Sequence, residues 1–291
     1  VHFQFSFLFL LSVIMVQISS KRIGYMDPVK LYSTEDLVNT LKQENVLIVQ
    51  VTDFASYAKG HIPEAVLVTP HEIMNDEMPA VGKLPSFSKI NDLLTTIGYQ
   101  QDDLIIAYDN EGGGWAGRFL WLMDCICHQK LGYLNGGLHA WVSERRPLET
   151  RPPTRKEERS EIRLSIDAIA EIEDVMDAIE SSSSIIWDAR SLGEFNGTDR
   201  RAARGGHIPS AIHLDWLELR DPFNFFRLPG DLSALLKASD LLSGKNIITY
   251  CQSHHRSGLS YLVGRLYGMN IKAYAGGWAE WGNRVDTPIA I

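Results

Sequence analysis

Cysteine is scarce in this sequence: only Cys125, Cys127 and Cys251 occur among 291 residues. Three thiols cannot close a disulfide framework, and no C-x2-C pair has a matching second pair. A disulfide scaffold and structural zinc are therefore not indicated, and a reducing, cytoplasmic setting fits best. Positive charge is also short, with 28 basic against 36 acidic residues and a net charge of -8. That balance argues against a nucleic-acid binder and leaves no overall field to gather anions, so any anion site must be local. "EGGGWAGR" at 111–118 lacks the lysine of a phosphate-binding loop and the dinucleotide fingerprint, and reads as a tight strand-to-helix turn; no cofactor is expected. The apolar run from Phe5 to Ile18 is too short for a confident membrane span. It resembles a signal-peptide core, yet no basic residues precede it and "VQISS" is a mediocre cleavage site. Residues 1–26 are set apart as an extension. They are either non-native, with Met26 as the natural start, or a signal or anchor that would make the protein exported or membrane-attached.

What the sequence does contain is a repeat. "KGHIPEA" at 59–65 returns as "GGHIPSA" at 205–211, and "LNGGLHAW" at 134–141 returns as "YAGGWAEW" at 274–281. Between them "LIIAYDNEGGGWAGRFLWLM" stands opposite "NIITYCQSHHRSGLSYLVGRL", so Asp109 occupies the place of Cys251. Matched blocks in one order indicate two copies of one plan. Prolines and charges replace apolar periodicity over "LETRPPTRKEERSEIR", as in a solvated linker. The reading is an N-terminal domain over 27–148, a linker over 149–163 and a C-terminal domain over 164–291. In each copy short apolar runs alternate with helical patterns, which predicts an α/β fold with a mostly parallel sheet flanked by helices. Strands are predicted at 46–51, 104–108, 185–187 and 247–250. Leu259, Leu262, Val263 and Leu266 recur at helical spacing after Cys251, and Gly268 is placed to stop that helix.

Cys251 thus lies between a strand and a helix, at the sheet edge where α/β proteins bind ligands. One reading makes it a small buried hydrophobe. The other makes it a nucleophile, because unpaired amides at a helix start and a nearby Arg or His favour the thiolate. His254 and His255 are adjacent and so point apart, which argues against a metal site. Arg256 at a helix start opposes the dipole and calls for a compensating anion nearby. Trp216 is either a pocket wall or core. Cys125 and Cys127, two apart on the helix after Asp109, read as buried and inert. The basic run at 198–207 reads as a solvated loop that could rim the cleft.

The blocks "GHIP", "DAR", "NGGLHAW" and "YAGGWAEWGN...DTP", with the loop "CQSHHRSG", resemble the tandem-domain rhodaneses, thiosulfate sulfurtransferases, over the chain from about residue 27 onward. The resemblance implies two tandem rhodanese-like domains, the first inactive and the second catalytic. Asp109 cannot carry sulfur, and "QVT" in the first copy stands where the second has Asp188 and Arg190. Asp109 becomes a helix cap whose loss should cost at most about 1 kcal/mol. The implied mechanism is ping-pong: Cys251 takes the outer sulfur of thiosulfate, expels sulfite, and passes the sulfur to cyanide or a thiol. The amides of Gln252, Ser253, His254, His255 and Ser257 would form a nest around that sulfur, without metal. Arg190, at the site mouth, and Arg256, in the loop, would bind the donor, although Arg190 could instead serve a salt bridge to Asp188. Cysteine phosphatases and arsenate reductases share this kind of site. Their loops run C-x5-R, whereas C-x4-R here makes a smaller cradle that suits one sulfur atom. A carrier that holds a persulfide for a protein partner is the third reading.

Overall fold

The computed structural model describes residues 28–43, 45–155 and 161–291; the apolar segment 5–18 lies outside them. Strands β1 (Lys30–Tyr32), β2 (Val46–Val51), β3 (Ala65–Val68), β4 (Leu104–Asp109) and β5 (Leu131–Leu134) form one sheet in the order β1-β5-β4-β2-β3. Strands β6 (Ser184–Asp188), β7 (Ile212–His213), β8 (Asn246–Tyr250) and β9 (Ile271–Ala273) form a second, in the order β7-β6-β8-β9. Every strand pairing is parallel. The central strands are buried on both faces, which is why β2, β4, β6 and β8 read as apolar runs rather than alternating ones. Each predicted strand lies at its place, extended by a residue or two at some ends.

The repeat shows in matched polar contacts. Tyr108 donates to Gln50 (2.8 Å) and receives the Ile62 amide (2.9 Å); Tyr250 donates to Asp188 (2.5 Å) and receives the Ile208 amide (3.2 Å). The indoles of Trp141 and Trp281 each donate to a proline carbonyl, Pro147 and Pro288, at 2.8 Å. The "GHIP" and "AW" blocks recur because each copy ties the same strand end to the same loops.

The two copies meet along the helices Gly114–Cys125 and Arg256–Leu266, the ones that follow Asp109 and Cys251. Their glycines let the backbones nearly touch. A Cβ on Gly117 would lie 2.2 Å from the Gly258 carbonyl oxygen, and one on Gly258 would lie 2.4 Å from that of Gly114. Further along, Asp124 accepts from Tyr261 (2.8 Å) and Arg265 (3.0 Å) across the same buried seam. The apolar core is continuous through it. Gly258→Ala should push the helices apart and destabilise the protein by about 1–3 kcal/mol, as overpacking does. Urea unfolding would read the shift, and an unchanged midpoint would mean the seam can open without cost.

Cys127 departs from its expected place. The helix ends at Cys125, and Cys127 sits beyond it with φ 63° and an exposed side chain. A left-handed residue leaves the helical path, so the two thiols are not on one helix. Cys125 is buried.

Candidate active site

In the first copy Asp109 ends β4 and folds its carboxylate back over the turn. It accepts from the amides of Glu111 (3.0 Å), Gly112 (2.9 Å), Gly113 (2.8 Å) and Ala116 (3.0 Å). Gly112 and Gly113 have φ of 94° and 104°, which turns consecutive N–H groups to one side and makes an anion nest. A fully buried carboxylate fills that nest. Four charge-assisted bonds exceed an ordinary cap, so the expected cost of Asp109→Ala rises to about 3 kcal/mol or more. Thermal or urea unfolding would measure it, and an unchanged midpoint would show that the turn holds without the carboxylate.

In the second copy Cys251 follows β8 directly, and the helix begins at Arg256. Among the described residues, the amides of Gln252 to Ser257 have no backbone or side-chain oxygen as acceptor. The equivalent turn therefore offers unpaired donors beside a thiol where the first copy has a carboxylate. The Ser257 hydroxyl donates to Cys251 Sγ at 3.4 Å, and His254 Nδ1 lies 2.8 Å from the same hydroxyl. With the serine proton aimed at sulfur, His254 must carry its proton on Nδ1. His254 is fully buried, edge-on to Trp121 at 4.5 Å, and held at φ 59°. Burial, then the nearby Arg118, keep its imidazole well below the usual histidine range and so neutral. A left-handed histidine at a loop centre carries local strain that the surrounding packing must hold.

The other loop side chains are engaged elsewhere. Gln252 donates to the Arg201 carbonyl at 3.1 Å, which brings the basic run at 198–207 against the loop. Ser253 is half-buried, its carbonyl packed beside Gly82. His255 stacks on Trp115 at 4.1 Å, lies 5.4 Å from Trp216 and sits 3.1 Å from the Glu111 carboxylate. Trp216 is partly buried against the core and carries Arg220 over its ring at 4.1 Å. It packs on the core and borders His255 of the loop.

Two arginines stand differently from their expected roles. Arg190 is 1% exposed rather than at a mouth. It donates to Asp188 from Nε and Nη2 (2.9 and 2.6 Å) and to the Gly206 carbonyl, with its guanidinium over Trp278 at 4.4 Å. The ion pair satisfies a charge that the apolar ring faces would otherwise leave uncompensated. Arg256 is clasped by Glu194 through Nη1 (2.5 Å) and Nη2 (2.8 Å), so Glu194 is the anion that a helix-start arginine calls for. Its charge holds the loop to the domain.

Cys251 itself is 1% exposed, whereas a working nucleophile is expected to face a cleft. A cavity of about 590 Å³ exists, but it lies at the other end of the sheet, against Ser184, Asn246 and Ile271. No described group of three His, Cys, Asp or Glu residues is placed to hold a metal.

Comparison with known proteins follows from this geometry. The rhodanese-like domain model matches twice, over residues 33–144 and 171–284. The chain belongs to the rhodanese family. It is 39% identical over 257 residues to a thiosulfate sulfurtransferase of Azotobacter vinelandii, covering 88% of this chain and 95% of that one. It is 30% identical over 285 residues to the sulfur carrier protein TtuD of Thermus thermophilus, covering 92% and 98%. Among solved structures, SseA of Escherichia coli, described as a 3-mercaptopyruvate sulfotransferase, is similar at a TM-score of 0.75 and 25% identity, covering 86% and 99%. Tum1 of Saccharomyces cerevisiae has the same fold at a TM-score of 0.75 and 21% identity, covering 87% and 94%.

The sequence alone did not single out Glu194, Arg118, Trp115 or Glu111. Glu194 had a signal, since Ser191 and Glu194 form a capping box, but that pattern points to a helix start only. Arg118 had a clearer one, a lone cation inside "GWAGRFLWLM".

Proposed function

We propose that this rhodanese is a sulfurtransferase in which Cys251 carries sulfane sulfur as a persulfide. In the first half-reaction the Cys251 thiolate attacks the outer sulfur of thiosulfate, and the S–S bond breaks to release sulfite with its electron pair. In the second, cyanide or a thiolate removes the terminal sulfur and restores the cysteine. Charge balances at each step, and no cofactor or metal enters. The observation that carries this reading is the pair of turns: one amide nest is filled by the Asp109 carboxylate, and the other has unpaired amides beside a thiol. Such donors favour an anionic sulfur over a neutral thiol. Ser257 adds a hydroxyl donor, and His254 fixes the direction of that hydroxyl. Gln252, Ser253 and His255 contribute backbone amides, while Arg256 holds the loop.

The N-terminal domain, 27–148, is proposed to be catalytically inert, with 149–163 as linker and 164–291 as the catalytic domain. A cytoplasmic location is proposed from the unpaired cysteines; among the described residues no helix is long and apolar enough to cross a membrane.

The likeness to a sulfur carrier favours a second reading, delivery of the sulfur to a cysteine of a protein partner. Intact mass after incubation with thiosulfate tests the proposal: one sulfur atom should be gained and then lost on adding cyanide. Slow loss to cyanide with fast loss to a protein thiol would select the carrier. Turnover of an aryl phosphate without any sulfur gain would overturn both.

A further inference from the structure

Arg118 lies in the N-terminal copy, on the helix that follows Asp109, and is fully buried. All its hydrogen bonds go to neutral carbonyls. Nε and Nη2 donate to Ile73 (3.1 and 2.7 Å), Nη2 also to Lys83 (3.3 Å), and Nη1 reaches the carbonyl of His254 in the sulfur loop (3.5 Å). The other two buried arginines each hold a carboxylate, Arg190 that of Asp188 and Arg265 that of Asp124, and the partly buried Arg256 holds Glu194. Arg118 has none among the described residues. A buried cation with only carbonyl partners is costly and calls for an anion.

The surroundings narrow the choice of anion. His254 is neutral, and the His255 imidazole is matched by Glu111. Lys83 is held by Glu171 and Glu280, and Asp124 is taken by Arg265 and Tyr261. The Cys125 thiol is pushed well above its usual range by burial, then by Asp124, and stays protonated. Burial lowers the Arg118 guanidinium to about 10, and the charge that most opposes this is that of Cys251, which Arg256 also faces from the loop's own copy while held by Glu194. Contacts from the first copy also run along three consecutive loop residues: Gly82 against Ser253, Arg118 to His254, and Trp115 on His255.

We propose that Arg118 is the counter-ion of the anionic sulfur on Cys251, a positioning residue acting across the seam, so that the inert N-terminal copy is a working part of the sulfur site. The proposal rests on Cys251 being the sulfur-bearing residue. The alternative is a purely structural clip that ties Ile73 and Lys83 to the seam.

Two variants of the full chain separate these. Arg118→Lys keeps the charge and loses the fork of donors; Arg118→Gln keeps amide donors and loses the charge. Two readouts follow Cys251: alkylation by iodoacetamide, located by peptide mass because Cys127 also reacts, and sulfur gained from thiosulfate. Both are followed from about pH 6.5 to about pH 9.5, with Cys251→Ser as the blank. Arg118→Gln should slow both about tenfold at the acid end, with the gap closing toward the alkaline end, as one displaced pH unit requires. Arg118→Lys should stay within about threefold of the wild type with the same profile. A wild-type profile in Arg118→Gln, or equal losses in both variants without a pH trend, would overturn the proposal. Should Arg118→Gln fail to fold, the lysine variant decides: a retained profile supports the counter-ion, and a displaced one refutes it. Normal alkylation without sulfur gain in the wild type would instead fault the sulfurtransferase reading, and the alkylation profiles would still test Arg118.

Discussion

Cys251→Ser is expected to leave the fold intact and to abolish sulfur loading. Serine is close in size to cysteine, and the Ser257 hydroxyl beside it can still donate, so the buried site keeps its packing and a hydrogen bond. An alkoxide is far less accessible than a thiolate at neutral pH, and an oxygen in place of sulfur cannot hold the persulfide, so no first half-reaction remains. Neither remaining cysteine is placed to substitute. Cys125 is buried and its thiol is pushed well up by burial; Cys127 is raised too, by burial and then by Asp167, and lies outside the helix end. Incubation with thiosulfate followed by intact mass should show one added sulfur in the wild type and none in the variant. Sulfur retained by the serine variant would move the chemistry to another residue, and peptide mapping would name it. Because Cys251 is 1% exposed, a bulky thiol reagent should mark Cys127 long before Cys251 in the native protein.

The fold was legible because its signals are local. β4 and β8 are buried on both faces and had to be written as apolar runs, and the helix after Cys251 follows from the spacing of Leu259, Leu262, Val263 and Leu266. The site was legible in its backbone, since the repeat aligned Asp109 with Cys251 and so contrasted a turn filled by a carboxylate with one that carries a thiol. Its side-chain partners were not. Arg256 meets Glu194 across 62 positions, and Arg118 reaches His254 across 136; no periodicity encodes such pairs. Arg190 shows a third kind of limit. "DAR" gives both the donor-binding and the salt-bridge roles, and the ion pair of Arg190 with Asp188 beside the rings of Tyr250 and Trp278 shows only in the packed structure. The burial of Cys251 was hidden for the same reason, because tertiary packing sets it and no local pattern does.

Glu194→Gln carries the second large effect. The Glu194 side chain is fully buried and bonds both terminal nitrogens of Arg256, with Ser191 donating from its hydroxyl at 3.0 Å. Burial alone would raise this carboxyl, but the Arg256 bonds and charge, then Ser191, outweigh it and hold it at about 2. A depressed folded pKa contributes stability above the unfolded value, here the ordinary 4.5, and loses it as pH falls through about 2. The contribution is about 3 kcal/mol at neutral pH. Glutamine removes the charge and leaves Arg256 buried without a counter-ion, which costs about 3–5 kcal/mol. Sulfur loading should fall with it, because Arg256 anchors the loop that carries the amide donors. Asp124 acts with the opposite sign. Burial pushes its carboxyl up to about 6 despite Arg265 and Tyr261, so its effect on stability is best below the ordinary 3.8 and is lost as pH rises through about 6. Between pH 6 and pH 4.5 acidification therefore favours the fold through Asp124, and below 4.5 Glu194 opposes it. Urea unfolding across this range should show stability in the wild type rising and then falling. In Glu194→Gln the level should be lower at neutral pH and the fall below 4.5 reduced. A variant that matched the wild type at neutral pH and kept the full acid loss would show that Arg256 does not depend on Glu194 and that another acid drives the acid limb.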